Sequence, residues 1–173
     1  VFLLLEACKL LQSKHLPFHC TFVGGEGDIT ADQFQQKVQK LKLSNYIDYA
    51  GKKYDQEKAN VFSKSDIFVH PTFEDCFPLV LLEAMQYSLP TVSTLEGGIP
   101  DILNHDKTGF LVPQQDPEAL ADKLEILIRN PEWAHQKPVV EIDNKIVDYQ
   151  LNDNGFMVLN RDWTNNTVKI TIP

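Results

Sequence analysis

The 173-residue chain is poor in the features that mark extracellular, metal-stapled or membrane proteins. It holds three cysteines, Cys8, Cys20 and Cys76, and none sits in C-x-x-C spacing. An odd number without that spacing argues against a disulfide framework and against a structural zinc site. Reduced thiols in a cytoplasmic protein are the expectation. No apolar run reaches the roughly 20 residues of a membrane-spanning helix, and no secretory signal is visible. Any membrane contact, at the inner face, is expected to come from parts outside this chain. Positive charge is short too: 16 Lys and Arg stand against 24 Asp and Glu, a net charge of -8. Such an average field repels phosphate, so nucleic acid and anionic lipid are poor general partners. One phosphate group can still be held locally by backbone amides. Val1 already lies in an apolar periodic stretch, so the true amino terminus is expected upstream.

What is present is ordinary globular composition, 43% hydrophobic and 23% charged, enough for one domain and a small appendage. Residues 1–14 predict an amphipathic helix through Phe2, Leu5, Leu10 and Leu11, stopped by Pro17. FHCTFVGG (18–25) predicts a strand ending in glycines. A helix over 30–43 follows, capped by Thr30 or Asp32, with Phe34, Val38 and Leu41 as its apolar stripe. Strands are expected at 46–51, 66–71, 89–94 and 109–113, and helices at about 56–64, 79–88 and 116–130, with a short one after Gly97-Gly98. Asp116 suits an N-cap and Pro117 the first helical position. Short apolar strands alternating with helices specify an α/β domain with a doubly wound parallel sheet. In such sheets ligands bind beyond the carboxyl ends of the strands. Loops 24–29, 51–54, 71–78 and 94–100 all leave such ends.

The texture changes near Lys137. From Pro138 the helical period disappears, and VVEI, KIVDYQ, GFMVLNR and TVKITI read as strands. Turn signals stand at Asp143-Asn144, Asp153-Asn154-Gly155 and Asn165-Asn166. A few hairpins bury little surface by themselves, so this tail needs a partner surface.

The informative stretch is HPTFEDCFPLVLLEAM (70–85). A strand ends at His70-Pro71 and a helix opens at Phe77-Pro78, with Pro78 read as the first helical residue. The amides of Leu79 and Val80 then have no intrahelical partner and, with the helix dipole, form an anion site. Asp75 precedes the helix, and Glu83 lies one turn in, on the face of Leu79. Carboxylates beside a phosphate site repel it unless their task is to accept hydrogen bonds from hydroxyl groups, as sugars supply. Two glycine turns accompany this stretch, VGGEGD (23–28) and EGGIPDI (96–102). Paired glycines allow positive φ and close approach of backbone to a ligand.

The run VGGEG, YAG, SDIFVHPTFEDCFPLVLLEAM, LPTVST, EGGIPDIL, KTGFLVP and DPEALADKL resembles glycosyltransferase family 4, retaining enzymes with two Rossmann-like domains (the GT-B architecture). The match covers about three quarters of the chain and points to the carboxy-terminal, donor-binding domain. The family carries a Glu, seven residues, then a second Glu. Phe77 and Glu83 fix the register here, so Asp75 takes the first position and Glu74 falls one residue early, where it can compensate for the shorter reach of Asp. The resemblance implies that Asp75 contacts donor-sugar hydroxyls, that the amides of Phe77 and Leu79 hold the diphosphate beside Cys76 and Pro78, and that Glu83 binds the ribose hydroxyls. It implies that Gly51, Lys52, Lys53 and Tyr54 lie near the base, and that Gly24, Gly25, Gly97 and Gly98 line the donor cleft. The implied partner is a nucleoside-diphosphate sugar, with no cofactor and no metal. The implied reaction is glycosyl transfer to a hydroxyl with retention, in polysaccharide biosynthesis. By the same resemblance residues 1–136 form the nucleotide-sugar-binding domain, lacking its first strand and final helix, and the acceptor-binding domain is absent, so the chain alone is expected to be inactive. Residues 137–173 form a tail of unrelated type, weakly similar to β-sandwich segments of β-L-arabinofuranosidase-like hydrolases.

Each residue also has a plainer reading. Asp75 can be a helix cap, Glu83 a solvated helix residue, Gly97-Gly98 a tight turn, and Lys52-Lys53 a solvated pair. His70 can be structural or functional, Cys76 is a small spacer, Trp163 is sheet packing, and Arg161 has no role. A non-catalytic nucleotide-binding or interaction module is the alternative function. A sugar epimerase or phosphorylase on the same architecture is a third, since fold alone does not set chemistry.

Overall fold

A computed structural model describes residues 1–103, 109–133, 139–142, 145–147, 150–151, 157–158 and 168–171. Helix α1 (Phe2–Ser13) opens the chain and buries Leu4, Leu5, Ala7, Cys8 and Leu11. Strand β1 (Cys20–Val23) leads to α2 (Ala31–Lys40). Thr30 caps α2 in a full capping box with Gln33, which resolves the choice between Thr30 and Asp32. Strand β2 (Ile47–Gly51), helix α3 (Asp55–Ser63), strand β3 (Phe68–His70) and helix α4 (Leu79–Gln86) follow. Then come β4 (Thr91–Thr94), the single turn α5 (Ile99–Ile102), β5 (Gly109–Val112) and α6 (Pro117–Arg129). Asp116 caps α6 through a bond from the Ala119 amide, with Pro117 at its first position.

All five strands of this body pair in parallel, as an α/β alternation requires. They form two ladders, β1–β2 and β3–β4–β5, and among the described residues no strand pairing joins them. The expected single sheet is therefore divided between β1 and β3. One apolar core nevertheless spans both halves, with α1 packed against α6: Leu5, Leu11, Val38, Val92, Val112 and Leu120 all lie in it.

Beyond a short 3-10 turn at Pro131–Trp133, the pairing changes hand. Strand β6 (Val139–Ile142) pairs antiparallel with β7 (Lys145–Val147) and with β10 (Val168–Thr171), and β8 (Gln150–Leu151) pairs antiparallel with β9 (Met157–Val158). Within the expected strand KIVDYQ the described residues fall in β7 and β8, and within GFMVLNR the described residues Met157 and Val158 are strand. The three turn signals, Arg161 and Trp163 lie outside the described residues. Among the described residues no helix is long and apolar enough to cross a membrane.

Candidate functional site

The division between β1 and β3 opens a cleft of 1230 Å³. Leu4, Cys8, Leu11, Leu124 and Leu127 line it from α1 and α6, and Val61, Phe62 and Val80 from α3 and α4. At the carboxyl ends of the strands its wall becomes polar: Gly24 and Gly25 after β1, Lys52, Lys53 and Tyr54 after β2, His70 to Thr72 after β3, and Glu83 from α4. Four lysines (52, 53, 58 and 64) line the cleft against the acids Asp66 and Glu83. The local balance is thus opposite in sign to the net charge of the chain, which suits an anionic ligand.

The glycine loop after β1 is tied to the loop after β2. The Gly24 amide donates to the Gly51 carbonyl at 3.0 Å, and the Tyr49 hydroxyl donates to the Gly24 carbonyl at 3.0 Å. A Cβ on Gly25 would come within 2.1 Å of the Lys52 Cε, the far end of a flexible side chain that can move aside. Lys52 therefore lies across the glycine backbone. Lys53 pairs with Glu57 at 3.5 Å. Lys58 donates to Glu83 Oε1 at 2.5 Å.

The loop from Pro71 to Pro78 is held from below by the central strand. The only buried polar side chains of the described body are Thr91, Ser93 and Thr94, all on β4. Ser93 Oγ donates to the His70 carbonyl at 2.7 Å, and Thr94 Oγ1 donates to the Thr72 carbonyl at 2.8 Å. Gln114 adds a bond to the Phe73 carbonyl at 2.7 Å and another to Glu96. Hydroxyls in a buried strand were the available sequence signal for this role, and the motif reading passed over them, as it did over Lys58 and Gln114.

Helix α4 begins at Leu79, as expected for the run 79–88, and only the place given to Pro78 shifts by one. Pro78 is the N-cap, buried and in extended conformation, and Leu79 is the first helical residue. The reason is local: ψ of Pro78 is 102°, outside the helical range, while its carbonyl already accepts from the Leu81 amide at 3.1 Å. The amides of Leu79 and Val80 have no backbone partner among the described residues. The helix end is open, with Leu79 66% and Phe77 51% exposed.

Asp75 does not cap α4, which has no side-chain cap. Its Oδ1 instead accepts from the Phe77 amide at 3.2 Å, closing an Asx turn. The Phe77 amide is thus engaged by Asp75. Asp75 Oδ2 lies 3.5 Å from His70 Nε2, a buried nitrogen that makes no hydrogen bond. Glu74 is exposed, and only its carbonyl is engaged, by the Thr72 hydroxyl.

Gly97 and Gly98 approach the protein's own backbone, where the sequence reading had them approach a ligand. A Cβ on Gly97, whose φ is +51°, would come within 2.1 Å of the Asp75 carbonyl oxygen, and one on Gly98 within 2.2 Å of that of Cys76. The Gly98 amide donates to the Cys76 carbonyl at 3.0 Å. The pair clamps the 75–77 loop. Of the residues singled out from the sequence, Gly24, Gly25, Lys52 and Glu83 line the cleft. Gly51 adjoins it through Gly24. Asp75 to Leu79 form the adjacent helix opening, and Gly97 and Gly98 support that opening.

Cys76 is exposed, while Cys8 is buried. A hydrogen bond with Cys20, and then burial, push the Cys8 thiol far above its ordinary range. Among the described residues no group of three or more His, Cys, Asp or Glu is arranged to hold a metal ion.

The family model described as glycosyl transferases group 1 matches residues 1–161. AmsK, an amylovoran biosynthesis glycosyltransferase of Erwinia amylovora, is 32% identical over 123 residues, 68% of this chain and 30% of its own length. The sulfoquinovosyl transferase SQD2 of Arabidopsis thaliana is 31% identical over 131 residues, 74% of this chain and 24% of its own length. The chain therefore spans less than a third of these two relatives. Among solved structures, a sucrose-phosphate synthase of Thermosynechococcus elongatus superposes with TM-score 0.64 at 26% identity, over 76% of this chain and 34% of its own. The C-terminal domain of LpcC from Francisella tularensis superposes with TM-score 0.56 at 21% identity, over 74% of this chain and 84% of its own. The latter likeness shows fold alone.

Proposed function

Because the chain belongs to the glycosyl transferases group 1 family, we propose that its body is the donor-binding half of a retaining enzyme of the family 4 type. On this reading the cleft takes a nucleoside-diphosphate sugar. The diphosphate lies against the open amides of Leu79 and Val80, where the helix dipole and the cleft lysines stabilise the negative charge that accumulates as the glycosidic bond breaks. Glu83 accepts hydrogen bonds from the ribose hydroxyls. Asp75 accepts from the hydroxyls of the transferred sugar, with the Phe77 amide exchanging Asp75 Oδ1 for a phosphate oxygen. The base lies along Gly51 to Tyr54. The glycosyl group passes to a hydroxyl acceptor held by a second domain outside this chain.

One observation carries the reading: a locally cationic cleft at the carboxyl ends of parallel strands is lined by Gly24, Gly25, Lys52 and Glu83, next to an open helix end. The antiparallel pairing after residue 138 supports a boundary near 136 and 137 between this body and a separate β-rich tail, although the family match runs on to residue 161. Work in the cytoplasm, at the inner face of a membrane, fits a donor of this kind.

Calorimetry with UDP, GDP and ADP tests the reading. Saturable binding of one of them is expected, weakened about tenfold or more by Glu83→Ala, since hydrogen bonds to a charged group are worth about 1.5–3 kcal/mol. No binding at millimolar nucleotide overturns it. The chain alone is expected to turn over no radiolabelled donor sugar.

A further inference from the structure

Among the cleft lysines, Lys58 is set apart by its partner. It stands near the start of α3, and its Nζ reaches across 25 residues to Glu83 Oε1 on α4 at 2.5 Å. The two side chains are 40% and 35% exposed. Both residues line the same cleft as Gly25 and Lys52. An ion pair this exposed contributes little to stability, yet it orders two long side chains that would otherwise sample many rotamers.

The chemistry of the pair is specific. A carboxylate offers two oxygens and only accepts; an ammonium offers three hydrogens and only donates. Glu83 Oε1 is engaged by Lys58, and Oε2 has no partner among the described residues. Lys58 has spent one of its three hydrogens. The pair therefore keeps a free acceptor and two free donors side by side. That set matches two adjacent hydroxyl groups, each of which can donate to the carboxylate and accept from the ammonium. Orienting the carboxylate beforehand removes an ordering cost from binding.

Resting on the reading of Glu83 as the ribose contact, we propose that Lys58 is a positioning residue that holds Glu83 for a vicinal diol and so sets the preference of this cleft for ribose over 2′-deoxyribose. Lys58 fixes one carboxylate oxygen and leaves the other to the ligand. Without it, Glu83 still carries charge but loses its fixed place.

The test uses this chain and whichever of UDP, GDP and ADP it binds, together with the 2′-deoxy form of that nucleotide. Affinities are measured by calorimetry for the wild type, Lys58→Met, Lys58→Arg, Glu83→Gln and the Lys58→Met/Glu83→Gln double variant, with thermal melting as a check on folding. The wild type is expected to prefer the ribonucleotide about tenfold, Lys58→Met to bring that ratio below about threefold, and Lys58→Arg to keep it. Glu83→Gln is expected to abolish the preference, and adding Lys58→Met to leave it unchanged, because the two residues act as one unit. If Lys58→Met weakens both nucleotides equally, Lys58 supplies only general charge and the proposal fails while the donor-site reading stands. If the wild type binds both forms equally, or neither, the assignment of Glu83 fails and takes this proposal with it.

Discussion

The two parallel ladders of this domain are built to different standards. In β3–β4–β5 the middle strand is sealed: Thr91, Val92, Ser93 and Thr94 are all buried. In β1–β2 the strand nearest the cleft alternates between half-buried and exposed, and Val23 is 41% exposed. A parallel strand is normally covered on both faces and paired on both edges, so β4 has what a parallel strand needs and β1 does not. The contrast matters because the candidate site is assembled from both halves. The loop at 71–78 hangs from the complete ladder through Ser93 and Thr94, whereas the Gly24-Gly25 turn and Lys52 hang from the incomplete one. Among the described residues no strand pairing holds these two sets in register. The packing of α1 on α6 does.

The largest effect is therefore expected where the halves are joined. Leu120→Ala, in a fully buried side chain of α6, should cost about 2–5 kcal/mol in urea unfolding; a change confined to surface scale would mean that the halves are joined elsewhere. Gly97→Ala should rank next, at roughly 1–3 kcal/mol, because the left-handed backbone and the Asp75 carbonyl both oppose a side chain. It should also weaken nucleotide binding, whereas a change at the outer face of α2, such as Gln35→Ala, should not. Thr94→Val, which strands the Thr72 carbonyl, should cost about 1 kcal/mol and speed amide exchange in loop 71–78 while leaving exchange in the 24–29 turn unchanged.

Smallest is the surface network between α1 and α6. Glu125, then Asp122, raises the Lys14 ammonium, and Lys14, then Arg129, lowers the Glu125 carboxyl. A lowered carboxyl stabilises above its ordinary value of about 4.3, and that contribution is lost as pH falls through the lowered folded value. A raised ammonium stabilises below about 10.4, and that contribution is lost as pH rises through the raised folded value. Lys14→Met should thus lower the melting temperature slightly across neutral pH, with the difference closing at the acid end. Lys14 and Asp122 are exposed and Glu125 is half-buried at the surface, so the effect should also fade in high salt.

What could be read in the sequence was whatever is decided within one turn of chain. The Asp116-Pro117 start of α6, the order of strands and helices, and a cap for α2 at Thr30 or Asp32 follow from neighbouring residues, and the structure agrees, with Thr30 as the cap. The place of Pro78 was missed by one position, because its extended backbone makes it the N-cap and not the first helical residue. The targets of Gly97 and Gly98, the hydroxyl support from β4 and the Lys58–Glu83 bond all join segments far apart in sequence, and no local pattern announces such pairings.

The uneven exposure of the three thiols has a practical consequence. Cys8 is shut in the core against Cys20, while Cys76 stands exposed one residue from Phe77, at the mouth of α4. A thiol-reactive fluorophore should therefore attach first at Cys76 in the native chain. The natural protein would then carry a single optical reporter beside the helix opening, and ligand titrations could be followed by emission without altering a residue.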